Sequence, residues 1–324
     1  MSASLTTAAN TLTSGPRGPR QKMAAASLVV PELKLAYVTN LKAACSTVKW
    51  VIADLTQRKP DDFFGSLGRR PTRAQTIHDA DRWKGLRRLA DFPDRSELSA
   101  DNGWLVFTLL RDPRARLWSA WQSKLLVGNP NFLGQVVEQP WYPRVPREPS
   151  EVIEDFRRFV EVLSTERRKM RRVGKDGHFR PQSDLIYRKG LQYTNVYDLS
   201  EIPTFERDLS AHLVEVGHNW LPELRNDNDT PLKLTKEVLA GGVGDAIEDI
   251  YREDFDRFGE AWAEGPNLSD AEWSPASFVD IAFRRQAHRR IRDLSDAATA
   301  LAQQNARLKG EAAAAGTGES ADAR

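Results

Sequence analysis

The sequence predicts an α/β fold: a central parallel sheet of about five strands, helices on both faces and a C-terminal helical extension. Two strand–loop–helix units predict it. In the first, apolar β-forming residues at 33–39 precede a helical apolar pattern at 47–58. In the second, six of the seven residues from Trp104 to Leu110 are hydrophobic, which is typical of a strand buried on both faces of a parallel sheet.

Composition bounds the function. The 324 residues, 40% of them hydrophobic, suffice for one large globular domain with tails. A formal net charge of +2 excludes binding of nucleic acid through bulk charge alone, but it allows a local basic site. The single cysteine, Cys45, excludes an intramolecular disulfide and a cysteine-rich zinc module. No pair of histidines has the HExxH spacing, so we expect no helical zinc site.

The chain divides into four predicted segments. Residues 1–30 and 310–324 are rich in small and polar residues and are expected to be disordered, whereas residues 31–274 form the functional domain and 275–309 a helix. No apolar run approaches the roughly 20 residues of a membrane span, and we interpret the alanine-rich stretch before Pro31 as a false signal-peptide match. The expected location is cytoplasmic.

Further elements follow from local patterns. Five prolines in residues 128–149 predict a long loop, which could form a lid on the substrate side. We expect helices at about 79–90, 150–171, 203–216 and 245–258, and a strand at 194–197.

The C-terminal helix has a pattern of its own, in which apolar residues alternate by three and four. This is a heptad seam with a polar asparagine at one core position, which favours a parallel homodimer through a coiled coil. An amphipathic helix packed on its own domain is the open alternative. The seam residues are Ile291, Leu294, Ala298, Leu301, Asn305 and Leu308.

The turn after the first strand carries a candidate anion site. Lys42 is followed by the small residues Ala43 and Ala44, then by Cys45, Ser46 and Thr47. A helix N-terminus offers unpaired N–H groups and a positive dipole end, hydroxyls add donors, and a lysine adds a point charge. The GxxxxGK[ST] pattern is absent, and a plain strand-to-helix turn with a surface lysine is the alternative.

The turn after the second strand carries a matching set. Arg111 leaves the carboxyl end of the buried strand, the edge where ligands bind in open α/β sheets. Asp112 and Pro113 predict the start of a helix, and Ser119 lies two turns into it. An arginine can grip a phosphate with two N–H bonds while a serine donates a third. The alternative is a structural ion pair between Arg111 and Asp112 or another acidic residue.

Together the two units resemble the PAPS-dependent sulfotransferases (PAPS is 3′-phosphoadenosine-5′-phosphosulfate), most closely the carbohydrate sulfotransferases of the chondroitin and HNK-1 type. That branch carries a Lys-x-Ala-Cys-(Ser/Thr)-x-x-Lys turn, matched by Lys42–Lys49, and an Arg-(Asp/Glu)-Pro-x-x-Arg-Leu-x-Ser-Ala-(Trp/Tyr) segment, matched by Arg111–Trp121. The resemblance covers roughly residues 33–260 and departs at Leu41, where many members have proline. The animal relatives are anchored by a membrane helix, and no apolar run in this sequence is long enough for one. The resemblance therefore implies a soluble, bacterial member.

The resemblance also implies roles for the site residues. The first turn would hold the 5′-phosphosulfate of PAPS through Lys42, Ser46, Thr47 and backbone N–H groups, and Arg111 with Ser119 would hold the 3′-phosphate. Whether Lys49 faces the nucleotide or solvent stays open. Cys45 would be a small filler in the turn.

In this reaction the acceptor hydroxyl attacks sulfur in line and the nucleotide 5′-phosphate leaves. Lys42 would neutralise charge on the bridging oxygen, and a histidine would take the hydroxyl proton. His78 is the first choice for this base, oriented by Asp79 or Asp81, although a surface histidine that caps a helix would look the same. His178 is the rival, and it could line the acceptor site with Arg180 and Gln182.

The resulting prediction is an enzyme with a P-loop-like three-layer α/β/α fold that moves a sulfuryl group from PAPS to a hydroxyl of a carbohydrate or glycosylated metabolite, without a metal. Two other functions remain open. One is a P-loop-like kinase or phosphotransferase, which would need a Walker glycine loop. The other is a non-enzymatic dimeric scaffold with a degenerate nucleotide site.

Overall fold

The fold is built on one five-stranded mixed sheet. The computed structural model describes residues 2–12, 26–63, 73–92, 94–170, 172–225 and 230–318. Strand order across the sheet is β3-β1-β2-β4-β5, with β2, β4 and β5 parallel and β1 antiparallel to both β2 and β3. The strands are β1 (Leu28–Val30), β2 (Leu35–Tyr37), β3 (Arg87–Arg88), β4 (Leu105–Leu110) and β5 (Asn195–Asp198).

The α/β class and the five strands are confirmed, but the prediction of a parallel sheet is wrong for β1, which pairs antiparallel with both of its neighbours. A single 3-10 turn, Pro31–Leu33, joins β1 to β2. A connection this short can only return the chain antiparallel, because a parallel pair needs a crossover of a dozen or more residues. β3 consists of two arginines and carries no apolar pattern that the sequence could have revealed.

Helices pack on both faces of the sheet because successive strand residues point to opposite sides. The longer helices are α1 (Ser2–Asn10), α2 (Cys45–Leu55), α3 (Pro113–Trp121), α5 (Pro149–Glu166), α7 (Ile202–Glu215), α9 (Val243–Ile250), α10 (Arg252–Phe258) and α11 (Pro275–Gly318). Shorter ones are α4 (Leu133–Val136), α6 (Gln182–Ile186) and α8 (Lys236–Leu239). None of the described helices is long and apolar enough to span a membrane.

Three apolar clusters hold these layers. On one face, Leu35 and Phe107 pack with residues of α2 and α7. On the other face, Ala36 and Val106 pack with residues of α1, α6 and α10. The third cluster lies beyond the sheet, where α3, α5, α9 and the start of α11 meet around Trp118.

The expectation of a disordered N-terminal tail is wrong for residues 2–12 and 26–30. Helix α1 buries Leu5 and Ala9 against the sheet, and Thr6 Oγ1 accepts a hydrogen bond from the Val196 N–H at 2.8 Å. Composition concealed this helix because its buried face is narrow and the rest of the segment consists of small and polar residues. Residues 13–25 of the expected tail lie outside the described residues.

Substitution of Asn10 by alanine should lower the free energy of unfolding by about 1–3 kcal/mol, because two backbone groups lose their partner. The Asn10 amide accepts from the Tyr193 N–H at 2.6 Å and donates to the Tyr193 carbonyl at 2.9 Å, which closes the open edge beside β5. Urea denaturation measures the change. Thr11→Ala is the matched control, because Thr11 bonds only within the helix, and an equal loss in both variants would contradict the prediction.

Other boundaries moved for local reasons. The helix expected at 79–90 is replaced by a 3-10 turn, Ala80–Arg82, and by β3. The helix expected at 245–258 is broken at Tyr251 into α9 and α10. Helix α11 runs to Gly318, past the expected end at 309, because the sequence continues with alanines, the strongest helix formers. Residues 319–324 lie outside the described residues.

Candidate functional site

The two predicted turns leave the same edge of the sheet, side by side. β2 and β4 are parallel neighbours, with Tyr37 opposite Phe107. The loops that follow them therefore begin at one edge, and the Arg111 guanidinium donates to the Lys42 carbonyl at 3.4 Å. The geometry brings the two candidate anion-binding turns into contact.

The first turn has an unusual backbone. Lys42 and Ala44 have positive φ angles of 68° and 51°, a left-handed conformation that costs energy for residues other than glycine. Ala44 is the N-cap of α2 and provides no side-chain cap for the first-turn N–H groups. Such strain is concentrated at functional sites, and the uncapped helix end has the chemistry of an anion site.

Positive charge converges on this turn. Burial, followed by the charges of Lys124, Arg111 and Arg116, lowers the pKa of Lys42 to about 7, although Cys45 opposes the shift. Lys124 belongs to a π-helical segment, Gln122–Leu126, that continues α3. Because like charges stay this close only at an electrostatic cost, a bound anion would relieve it. Neither Arg116 nor Lys124 was predicted from the sequence as a site residue.

The second turn begins α3 as predicted. Asp112 is the N-cap, its carboxylate accepts from the Arg114 N–H, and Pro113 is the first helical residue. The same carboxylate forms an ion pair with Arg114 at 2.6 Å. Ser119 lies two turns into α3 and is only 5% exposed.

A buried amide joins the two turns. The Gln182 Oε1 accepts from Asn40 Nδ2 at 2.9 Å and from the Arg111 N–H at 3.0 Å, and its Nε2 donates to the Arg111 carbonyl at 2.8 Å. The buried Asp254 carboxylate accepts from the Gln182 N–H at 2.7 Å. The expectation that Gln182 lines the acceptor site is therefore wrong, because the side chain is fully buried between the strand ends.

Arg116 performs a similar task one turn into α3. It is fully buried, and its three nitrogens donate to the carbonyls of Leu41 at 2.8 Å, Arg180 at 2.8 Å and Gly177 at 3.0 Å. The arginine thus ties the Lys42 turn to the segment that contains His178. The only sign in the sequence that Arg116 belongs to the site was its position in the Arg-Leu-x-Ser segment.

His178 forms a pair with Asp176. Its Nδ1 lies 2.6 Å from Asp176 Oδ1, and no hydrogen bond to Nε2 occurs among the described residues. Burial, followed by the charges of Lys124 and Lys42, lowers the pKa of His178 to about 4, although Asp176 opposes the shift. Burial raises the pKa of Asp176, but the charge and hydrogen bonds of His178 outweigh it and lower that pKa. At neutral pH the imidazole is uncharged.

His78 lies on the other side of the turn. Its Nε2 is 2.7 Å from Ser46 Oγ, so it contacts the candidate donor loop directly. The carboxylate of Asp79, one of its expected orienting groups, instead accepts from the Asp81 N–H at 3.1 Å. Both candidate histidines thus lie beside the residues predicted to hold the phosphosulfate.

Three neighbours in the loop have distinct surroundings. Thr47 Oγ1 donates to the Arg225 carbonyl at 2.8 Å. Lys49 is only 3% exposed, so the solvent-facing alternative is wrong. Cys45 is buried in the turn, as expected of a small filler.

Comparison with known proteins gives one match. The model of one protein family, described as the sulfotransferase family, matches residues 26–259. This range contains both turns, both histidines and every strand of the sheet. No curated protein and no solved structure matches the chain.

Proposed function

The chain belongs to the sulfotransferase family, and from that premise we propose that it transfers a sulfuryl group from PAPS to a hydroxyl of a carbohydrate or glycosylated metabolite. The observation that carries the donor assignment is the contact between the two turns, with Arg111 bonded to the Lys42 carbonyl. A nucleotide with phosphates at both its 3′ and 5′ positions needs two anion sites within one molecule's length. The turns that follow the adjacent parallel strands β2 and β4 begin at one edge of the sheet and would provide these two sites.

The residues fit this donor. Lys42, Ser46 and the N–H groups of Ala43, Ala44, Cys45 and Thr47 would hold the 5′-phosphosulfate, where the α2 N-terminus is uncapped. Arg111 and Ser119 would hold the 3′-phosphate. Lys42 would stabilise negative charge on the bridging oxygen as the nucleotide leaves, the role in which a fixed cation contributes most. This fold is proposed to be P-loop-like and three-layered, with the donor at the carboxyl edge of β2 and β4.

We assign the base to His178. A general base must be unprotonated and must have a nitrogen that the substrate hydroxyl can reach. A hydrogen-bond partner on the other nitrogen fixes the tautomer in which this nitrogen accepts a proton. His178 is neutral, its Nδ1 binds Asp176, and Lys42 is close enough to affect its pKa. His78 would instead position Ser46, since its Nε2 faces that hydroxyl. The negative charge of a bound donor would offset Lys42 and Lys124 and raise the pKa of His178 toward its ordinary value.

The acceptor class rests on the resemblance to carbohydrate sulfotransferases. The kinase alternative lacks support in the first turn, which has no glycine and no Walker pattern. A non-enzymatic scaffold would be expected to have lost residues of the nucleotide site, yet Lys42, Arg111 and Ser119 are all present.

Replacement of Arg111 by alanine should weaken binding of adenosine 3′,5′-bisphosphate, the nucleotide product, by about 1.5–3 kcal/mol, the usual value for hydrogen bonds to charged groups. Isothermal titration calorimetry measures the affinities. The matched control is Arg207→Ala, because that arginine is 71% exposed on α7 and should leave binding unchanged. The proposal fails if wild type prefers ATP with magnesium, or if Arg111→Ala binds the bisphosphate as tightly as wild type.

A further inference from the structure

Helix α11 has an inner face that holds the body of the protein. Phe278 and Ile281 are buried in the third cluster. The Arg285 guanidinium donates to the carbonyls of Pro143 at 2.9 Å and Arg144 at 2.6 Å. His288 Nδ1 lies 2.7 Å from the Val127 carbonyl. The first half of the helix is therefore fixed rigidly against the domain.

The opposite face of α11 carries large apolar side chains that nothing covers. At 100° per residue, these positions fall within about 60° of one another and roughly opposite Ile281 and Arg285. They make up five of the ten exposed large hydrophobic residues in the part of the chain that is described. We call this surface the outer stripe: Val279 (70% exposed), Phe283 (69%), Leu294 (52%), Leu301 (61%) and Leu308 (49%).

An exposed stripe of this extent indicates an interaction surface. It runs for about 45 Å along the helix, and its five side chains expose on the order of 500 Å². Two such stripes in contact, with their flanking residues, would bury about 1,000–1,500 Å² in total, which reaches the range of specific dimers. The area therefore matches what a second identical helix could cover.

We propose that the outer stripe is the dimer interface of this protein, where α11 of a second copy packs in parallel. The seam from Ile291 to Leu308 has the heptad spacing of such a coil. Asn305 occupies a core position, where an asparagine pairs with its own counterpart only when two helices run parallel and in register. This inference is independent of the proposed activity.

Charge and geometry favour an identical partner. The positions that flank the seam in its middle turns are Ser295, Ala297, Ala302 and Gln304, so no like charges would face each other there. The domain is attached to the inner face, so a two-fold axis along the outer stripe places the two domains on the outer sides of the helix pair.

The molar mass in solution tests the interface directly. Multi-angle light scattering on a size-exclusion column should give twice the chain mass for wild type and one chain mass for the double variant Leu294→Asp, Leu301→Asp. Val214→Asp is the matched control: Val214 is 58% exposed on α7, outside the stripe, and its variant should remain dimeric. Wild type with the mass of a single chain throughout the micromolar range overturns the proposal, whatever the variants do.

A cysteine at position 301 tests the orientation. In a parallel, in-register dimer, the two introduced thiols of Leu301→Cys face each other and should form an intermolecular disulfide on mild oxidation. The native Cys45 is buried in its turn and provides a background measured with unmodified protein. A dimer that does not cross-link at position 301 overturns the parallel arrangement. A far-ultraviolet circular dichroism spectrum and a cooperative thermal transition like those of wild type show that each variant is folded.

Discussion

Replacement of Lys42 by methionine is expected to lower kcat by about 10²–10³-fold, the usual loss when a fixed donor to developing negative charge is removed. Methionine keeps most of the side-chain volume and removes only the charge. Turnover is measured as adenosine 3′,5′-bisphosphate released from PAPS in the presence of an accepted hydroxyl compound. Lys59→Met, beyond the C-terminal end of α2, is the matched control, since this lysine is exposed and distant from the turn.

The same substitution should change the pH dependence of product binding. The pKa of Lys42 is lowered to about 7 in the free protein, and a bound anion favours the charged amine. Affinity for adenosine 3′,5′-bisphosphate should therefore decrease as the pH rises above about 7, where unbound protein loses this proton before the complex does. Lys42→Met should lack this decrease. A wild-type affinity that is flat from pH 7 to 9 would show that the lysine does not face the anion.

Sequence patterns were sufficient to predict the parts of the candidate site that are formed by residues close together in the chain. Asp112 as N-cap and Pro113 as first helical residue were read directly from local rules, and the structure confirms both. The neighbouring positions of Lys42 and Arg111 also followed, because two strand–helix units of one parallel sheet begin their helices at the same edge.

The groups that connect the two turns could not be predicted because they come from distant segments. Gln182 meets Arg111, and Asp254 meets Gln182, only after the chain has folded. No local pattern distinguishes a buried amide that joins two turns from an amide on the surface. Lys124 was missed for the same reason, because it is far from His178 in the chain but lowers the pKa of that imidazole in the folded protein. Asp176 is only two residues from His178, but no local pattern shows that its carboxylate turns toward the imidazole.

Removal of His178 should have the second large effect. His178→Ala and Asp176→Asn are expected to lower kcat by about 10²–10⁴-fold, the range for loss of general base catalysis, and to leave affinity for adenosine 3′,5′-bisphosphate unchanged. A merely structural role would affect both quantities. His212→Ala is the matched control, because that imidazole lies 2.8 Å from the Leu33 carbonyl, away from both turns.

The pH profile separates the two candidate histidines. A base acts only when neutral, so the rate should fall as the pH decreases through its pKa. In the free enzyme, kcat/KM should stay constant as the pH decreases to about 4, the lowered pKa of His178, and fall below it. The value of kcat should begin to fall at a higher pH, because the charge of the bound donor offsets the charges of Lys42 and Lys124. Asp176→Asn removes the charge that raises this pKa, so the decrease in kcat/KM should begin at a still lower pH.

If His178→Ala keeps its turnover and His78→Ala loses it, the imidazole beside Ser46 is the base. The Asp176–His178 pair then serves only to hold the loop that Arg116 ties to the Lys42 turn.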